Sequence, residues 1–240
     1  MEQGSFRFKK FSISHDKCAM KVGTDGVLLG AWCTAEGAGR VLDIGTGSGL
    51  IAIMLAQRNP GCLIEGVEID GSSFSQATEN AAYCPWTDRI KIHNACFNDF
   101  HKNCTHVYDL IVSNPPFFLK SLSSPLPSRT TARHALSLSP ANLINGVTRL
   151  LSPEGIFSVI LPVAEAEFFT GEAVKRNLYT KRITEVLPNP GKPPKRLLLE
   201  FTRQQGAVQK SVLTVEMDRR HQYSDEFKRL TEEFYLYFLM

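Results

Sequence analysis

Between Arg40 and Arg176 short apolar runs alternate with segments of helical period, and this alternation restricts the chain to a parallel sheet covered by helices. Residues 41–44 predict a first strand, and 50–57 predict the helix that follows a glycine turn. Residues 63–69 predict a second strand, and 73–82 a helix capped by the pair Ser72-Ser73. Strands follow at 90–95 and 108–113. A helix is expected over 141–151, ended by Ser152-Pro153-Glu154-Gly155, then a strand at 156–161 and a helix at 165–176. The pattern changes after Asn177. Residues 183–187 and 197–201 read as strands joined by Pro188-Asn189-Pro190-Gly191-Lys192-Pro193-Pro194, a connector that suits a hairpin and not a crossover helix. The result is an α/β fold with a mostly parallel seven-stranded sheet and one reversed strand in its C-terminal antiparallel hairpin. Ser224 reads as the N-cap of a last helix, with Asp225 and Glu226 in its first turn. Trp32, Trp86 and the pair Phe168-Phe169 are expected in the core.

A length of 240 residues suits one domain over 1–240 with a full core. Residues 1–39 precede the sheet as an extension expected to pack on the active-site side, and 118–139 form a long serine- and proline-rich loop beside the site. The six cysteines, Cys18, Cys33, Cys62, Cys84, Cys96 and Cys104, contain no C-x-x-C pair and no His/Cys metal spacing, so no metal site and a reducing, cytoplasmic setting are expected. Residues 1–10 are polar and basic, without the apolar core of a secretory signal, and no window has the apolar length of a membrane span. A net charge of +3 permits a nucleic-acid partner without arguing for one.

Two motifs carry chemistry. Asp43-Ile44-Gly45-Thr46-Gly47-Ser48-Gly49 lies between the first strand and its helix, where Gly45, Gly47 and Gly49 allow close backbone approach by a nucleotide-like ligand. A dinucleotide loop would need a third glycine where Leu50 stands, which disfavours a nicotinamide oxidoreductase. Glu68, near the end of the second strand, is placed to accept hydrogen bonds from two ribose hydroxyls. The second motif, Asn114-Pro115-Pro116-Phe117, directly follows the fourth strand. Its prolines make the turn stiff, and the residue before a proline is held extended, so the Asn114 amide is carried out past the strand end. An amide and a carbonyl acceptor, Asn114 Oδ1 and the Pro115 carbonyl, can grip an exocyclic amino group while Phe117 stacks on the flat ring that bears it.

D-x-G-x-G-x-G, a strand-end acid, Asp99 after the third strand and N-P-P-F after the fourth resemble the S-adenosylmethionine-dependent methyltransferases that act on amino nitrogens. The resemblance implies a Rossmann-like class I methyltransferase fold. It further implies that Asp43 supports the donor's methionine end through the loop, that Glu68 holds the ribose and that Asp99 meets the adenine amino group. Asp99 also fits an ordinary helix cap. Within that group, residues 6–11 and 15–32, Arg129, the run Ala132-Arg133-His134 and residues 225–238 are similar to the bacterial tRNA1(Val) adenine-N6-methyltransferase family, a likeness that spans nearly the whole chain. It implies methylation of the adenine 3′-adjacent to the anticodon of a valine tRNA, with residues 21–25 against the donor or target pocket. Thr24 and Asp25 are the donor contacts expected there, although they fit a plain helix start equally well.

Candidate RNA contacts are Lys9, Lys10, Lys17 and Lys21 near the start, Arg129, Arg133 and His134 in the loop, and Lys192, Lys195 and Arg196 in the hairpin. The chain is expected to act as a monomer. A release-factor glutamine, a ribosomal-RNA guanine amine and a DNA adenine present related N–H groups and stay open as acceptors. A non-catalytic RNA-binding module is the alternative of another class.

Overall fold

The computed structural model describes residues 4–18, 20–116 and 138–236. Phe117, Arg129, Arg133, His134 and most of the expected loop at 118–139 lie outside them.

Among the described residues the main sheet has eight strands: β3 (Arg40–Ile44), β4 (Leu63–Glu68), β5 (Ile90–Asn94), β6 (Tyr108–Ser113), β7 (Leu151–Pro162), β8 (Tyr179–Leu187), β9 (Arg196–Thr202) and β10 (Gln209–Thr214). Their order is β10-β8-β9-β7-β6-β3-β4-β5, and β9 alone runs against its neighbours. A separate antiparallel hairpin pairs β1 (Ser5–Arg7) with β2 (Ser12–Ser14). The helices are α1 (Thr24–Trp32), α2 (Leu50–Arg58), α3 (Gly71–Tyr83), α4 (Phe97–Asn103), α5 (Pro140–Leu150), α6 (Val163–Val174) and α7 (Asp225–Thr231).

Both faces of the sheet are covered, as parallel strands require. Along β6, Leu110 and Val112 join the cluster under α1, α2 and α7, while the intervening Ile111 joins the cluster under α5 and α6. This is the two-residue alternation of a strand. Each such side chain contributes roughly 1.5–3 kcal/mol on burial. In β9 the same alternation sends Leu198 to the first cluster and Leu199 to the second. Next comes Glu200, 1% exposed and opposite both Ser158 and Arg182. Its carboxylate accepts hydrogen bonds from Thr34 N (2.7 Å), Ser158 Oγ (3.1 Å) and Arg182 Nη2 (3.1 Å).

The N-terminal hairpin is fastened by α3. Asn80 accepts from Ser14 N at 3.0 Å and donates to the carbonyls of Ser14 and Ser48, each at 2.8 Å. One buried amide thus joins the hairpin to the glycine turn. Phe8, Phe11 and Ile13 complete a third cluster with α1, α2 and Phe234.

Four local expectations are corrected. The sheet gains β10, parallel to β8, so the strand count is eight and not seven. The cap of α3 is Asp70, whose Oδ1 accepts from Ser73 N at 2.8 Å, and Ser72-Ser73 fall inside the helix. Ser152-Pro153-Glu154-Gly155 lies within β7, where the register against β6 shifts between Tyr108 and Leu110. Phe169 is buried but Phe168 is 65% exposed, since consecutive helical residues point to different faces.

Candidate active site at the carboxyl ends of three strands

The sheet order runs outward from β3 in two directions, to β4 on one side and β6 on the other. Ligands of open α/β sheets bind at such a switch point, outside the carboxyl ends of the strands. Gly45 follows β3, Glu68 ends β4 and Asn114 follows β6. The strand order of the sheet therefore brings the two sequence motifs to one crevice.

In the glycine turn Gly45, Gly47 and Gly49 take φ of 70°, 57° and 81°. A side chain is disfavoured at such angles, and at Gly45 and Gly47 a Cβ would meet open space. The Gly47 N–H donates to Glu68 Oε2 at 2.9 Å, and Asp70 N–H donates to Glu68 Oε1 at 2.9 Å. Each carboxylate oxygen keeps a lone pair for a further donor. Behind the turn, Asp43 is fully buried. Thr46 Oγ1 donates to its Oδ2 at 2.6 Å, and Oδ1 lacks a hydrogen-bond partner. Burial pushes the Asp43 carboxyl up to about 7, against the Thr46 hydroxyl and the Ala52 amide, which hold it down.

Two cavities meet at this turn. The first, about 280 Å³, is lined by Gly45, Gly47, Glu68, Asn114 and Pro116. The second, about 310 Å³, is lined by residues 20–26 with Gly45, Gly47 and Asn114. Met20, Gly45, Gly47 and Asn114 belong to both, so Asn114 stands where the two spaces join. Thr24, Asp25 and Lys21 border the second cavity. Asp43 and Gly49 lie beneath the turn and line neither cavity, and Pro115 is buried beside Asn114.

Asp99 is not among the residues brought together. It is in the first turn of α4 with a side chain 72% exposed, 3.6 Å from Lys102 Nζ. The first cavity is instead lined by the residues that open α4, Cys96, Phe97 and Asn98. Sequence reasoning also missed Ile69, which is 46% exposed yet lines that cavity and offers an apolar shelf beside Glu68. The available signal was an isoleucine directly after a strand-end acid, where an exposed polar residue is the ordinary expectation.

The proposed basic contacts separate into two groups. Lys9 Nζ donates to the Glu232 carbonyl, Lys17 pairs with Glu79 at 2.6 Å, and Arg196 pairs with Asp25 at 2.8 Å. Lys10, Lys21, Lys192 and Lys195 are exposed.

A glycine turn, a strand-end acid and one reversed strand set between β7 and β8 in a mostly parallel sheet define the chain as a class I methyltransferase. Residues 19–135 match the methyltransferase small domain family. The chain belongs to the tRNA1(Val) (adenine(37)-N6)-methyltransferase family. It is 48% identical over 237 residues to the member from Bacteroides fragilis, covering 98% of this chain and 99% of that one. It is 45% identical to the member from Trichodesmium erythraeum (98% and 99% covered) and 44% identical to that from Yersinia enterocolitica (97% and 93% covered). Among solved structures, a predicted O-methyltransferase from Agrobacterium tumefaciens shares the fold with a TM-score of 0.67 at 16% identity, covering 88% of this chain and 96% of that one. Among the described residues no helix is long and apolar enough to cross a membrane.

Proposed function

We propose that this protein transfers a methyl group from S-adenosylmethionine to the N6 amino group of an adenine in tRNA, the adenine 3′-adjacent to the anticodon of a valine tRNA. The observation that carries the reading is the position of Asn114 at the junction of the two cavities, beside Gly45 and Gly47 and across from Glu68. The names of the relatives supply the nucleoside and the tRNA.

The residues present fit the donor. Glu68 has acceptors for a ribose diol, Ile69 and the start of α4 offer a shelf and edge for a purine, and Asp43 braces the turn from behind through the Thr46 hydroxyl. When bound, the donor supplies a methyl group on a positively charged sulfur. The chain's own part is to prepare the acceptor. Asn114 Oδ1 and the Pro115 carbonyl accept the two N–H bonds of the adenine amine, whose lone pair is otherwise delocalised into the ring. Those acceptors favour a pyramidal nitrogen and stabilise the charge that develops on it, so they act most strongly in the transition state. Phe117 stacks on the base, an interaction worth ~1–3 kcal/mol. A loop adenine leaves its stack at less cost than a duplex one, which suits this pocket. Thr24 and Asp25, the donor contacts expected near the start, border the second cavity beside Asn114, and Lys10 and Lys21 supply phosphate contacts. The chain acts as a cytoplasmic monomer in this reading.

The test is transfer of tritium from labelled donor to total tRNA, ribosomes, DNA and release factor, followed by nucleoside analysis. N6-methyladenosine in tRNA is the expected product. Label confined to protein, or found in guanine, overturns the proposal.

A further inference from the structure

On the other side of the first turn of α1 lies an open cleft of about 440 Å³, walled by α1, the ends of β8 and β10, the start of β9 and the turn 216–223. Thr24 and Asp25 line both this cleft and the second cavity, so a single wall divides them. Four basic side chains line it, Lys195, Arg196, Arg220 and His221, against two carboxylates, Asp25 and Glu216. Both carboxylates are engaged by the cleft's own groups. Asp25 Oδ2 accepts from Arg196 Nε at 2.8 Å, and Glu216 Oε1 accepts from the His221 N–H at 3.0 Å. Lys195 and Arg220 have no ion pair among the described residues. The cleft therefore shows an outside ligand two uncommitted cations, with Asp25 already paired to Arg196 and Glu216 turned to a backbone N–H.

The turn that carries Arg220 is held in place. Glu216 and Tyr223 form a bridge, Met217 N donates to the Gln222 carbonyl at 2.7 Å, and Asn189 Nδ2 donates to the Met217 carbonyl at 2.9 Å. His221 has φ of 66°, a left-handed conformation that costs a residue with a side chain about 1–3 kcal/mol, and the Glu216 bond to its N–H retains it there.

We propose that this cleft seats the sugar-phosphate backbone of the RNA strand that flanks the base held at Asn114, with Lys195 and Arg220 on its phosphates. The assignment rests on the proposed function, since it requires an RNA whose target base lies across the Thr24–Asp25 wall. An open trough lined by both apolar and cationic side chains suits a chain passing through, where a small anion would need enclosure. Phosphate contacts of this type fix the position of the strand and leave base choice to the pocket.

The experiment compares the intact protein with K195A, R220A and the double variant, and with K91A on β5 at the opposite edge of the sheet. Valine tRNA binding is measured across a salt series, and methyl transfer is measured at saturating donor. The double variant should bind tRNA about tenfold more weakly, and its log–log salt slope should fall by roughly 1–2, about one for each phosphate no longer neutralised. KM for tRNA should rise with kcat and donor-induced thermal stabilisation unchanged, and K91A should behave as the intact protein. An unchanged affinity and slope in the double variant, an equal weakening in K91A, or a fall in kcat with KM unaltered each overturns the cleft assignment. An intact protein that binds donor but methylates no tRNA overturns the functional reading instead.

Discussion

The carboxylate of Glu68 accepts the Gly47 N–H at 2.9 Å, so the acid at the end of β4 holds the glycine turn that follows β3. Glu68 also accepts the Asp70 N–H at 2.9 Å, and the same side chain thereby fixes the chain entering α3. A residue expected only to hold a ribose also shapes the loop against which the donor would lie. Glu68→Gln keeps the size of the group but sets an NH₂ where one of two N–H donors now finds an oxygen. Hydrogen bonds to charged groups are worth about 1.5–3 kcal/mol, so donor affinity should fall roughly 10- to 100-fold by calorimetry. Unchanged affinity would show that Glu68 serves the fold alone.

Asn114→Ala should separate binding from chemistry. Asn114 is half-buried at the cavity junction and lies outside the hydrogen bonds that shape the turn. Donor affinity should persist while single-turnover methyl transfer falls about 10²- to 10³-fold, as for loss of one transition-state hydrogen-bonding group. Equal loss of both would make Asn114 a donor-binding residue.

The buried Asp43 gives stability a pH dependence of defined sign. Burial raises its folded value to about 7, while the unfolded chain releases the proton near the ordinary carboxylate value of about 4. Between those values the folded protein holds a proton that the unfolded chain has lost, so stability falls as pH rises through about 4 to 7 and then levels. Asp43→Asn removes this titration. Its melting temperature relative to the intact protein should climb from about pH 5 to pH 7 and flatten beyond. A difference that stays flat across the whole range is the outcome against this account.

Ser224→Ala tests the C-terminal brace. Ser224 Oγ accepts from Phe227 N at 3.0 Å and donates to the Thr214 carbonyl, so one hydroxyl caps α7 and ties it to β10. Loss of such a cap costs about 1 kcal/mol, which lowers Tm by roughly 2–4 °C in a chain of this size. Ser224→Thr should restore most of it. Donor affinity should stay constant in both variants, because neither touches the crevice.

What the sequence disclosed follows from how strongly each residue is constrained locally. Val41 to Ile44, Tyr108 to Ser113 and the glycines between β3 and α2 carry their own backbone requirements, and they stand where reasoning from residue types places them. β10 escaped notice because Leu213 is its one buried residue. An edge strand facing water on most sides has no alternation to read. The resemblance places Asp99 at the donor's adenine, but α4 begins at Phe97 and turns the acid outward, so the residues opening the helix line the cavity. The Arg196–Asp25 pair joins residues 171 positions apart, and no local pattern encodes such a meeting.

In β9, Leu197, Leu198 and Leu199 are interchangeable by size and polarity, so a slip of one residue would exchange leucine for leucine across the two faces. Glu200 breaks that degeneracy. Its carboxylate finds Ser158, Arg182 and Thr34 in one alignment, and a shifted strand would leave it charged and unpartnered in the core. A displacement of one residue is about 3.4 Å along a strand. It would carry Arg196, the first residue of β9, away from Asp25. Glu200 thus works as a gauge mark on a run of identical side chains, and an error at that mark would be read at the mouth of the site, at the opposite end of the strand.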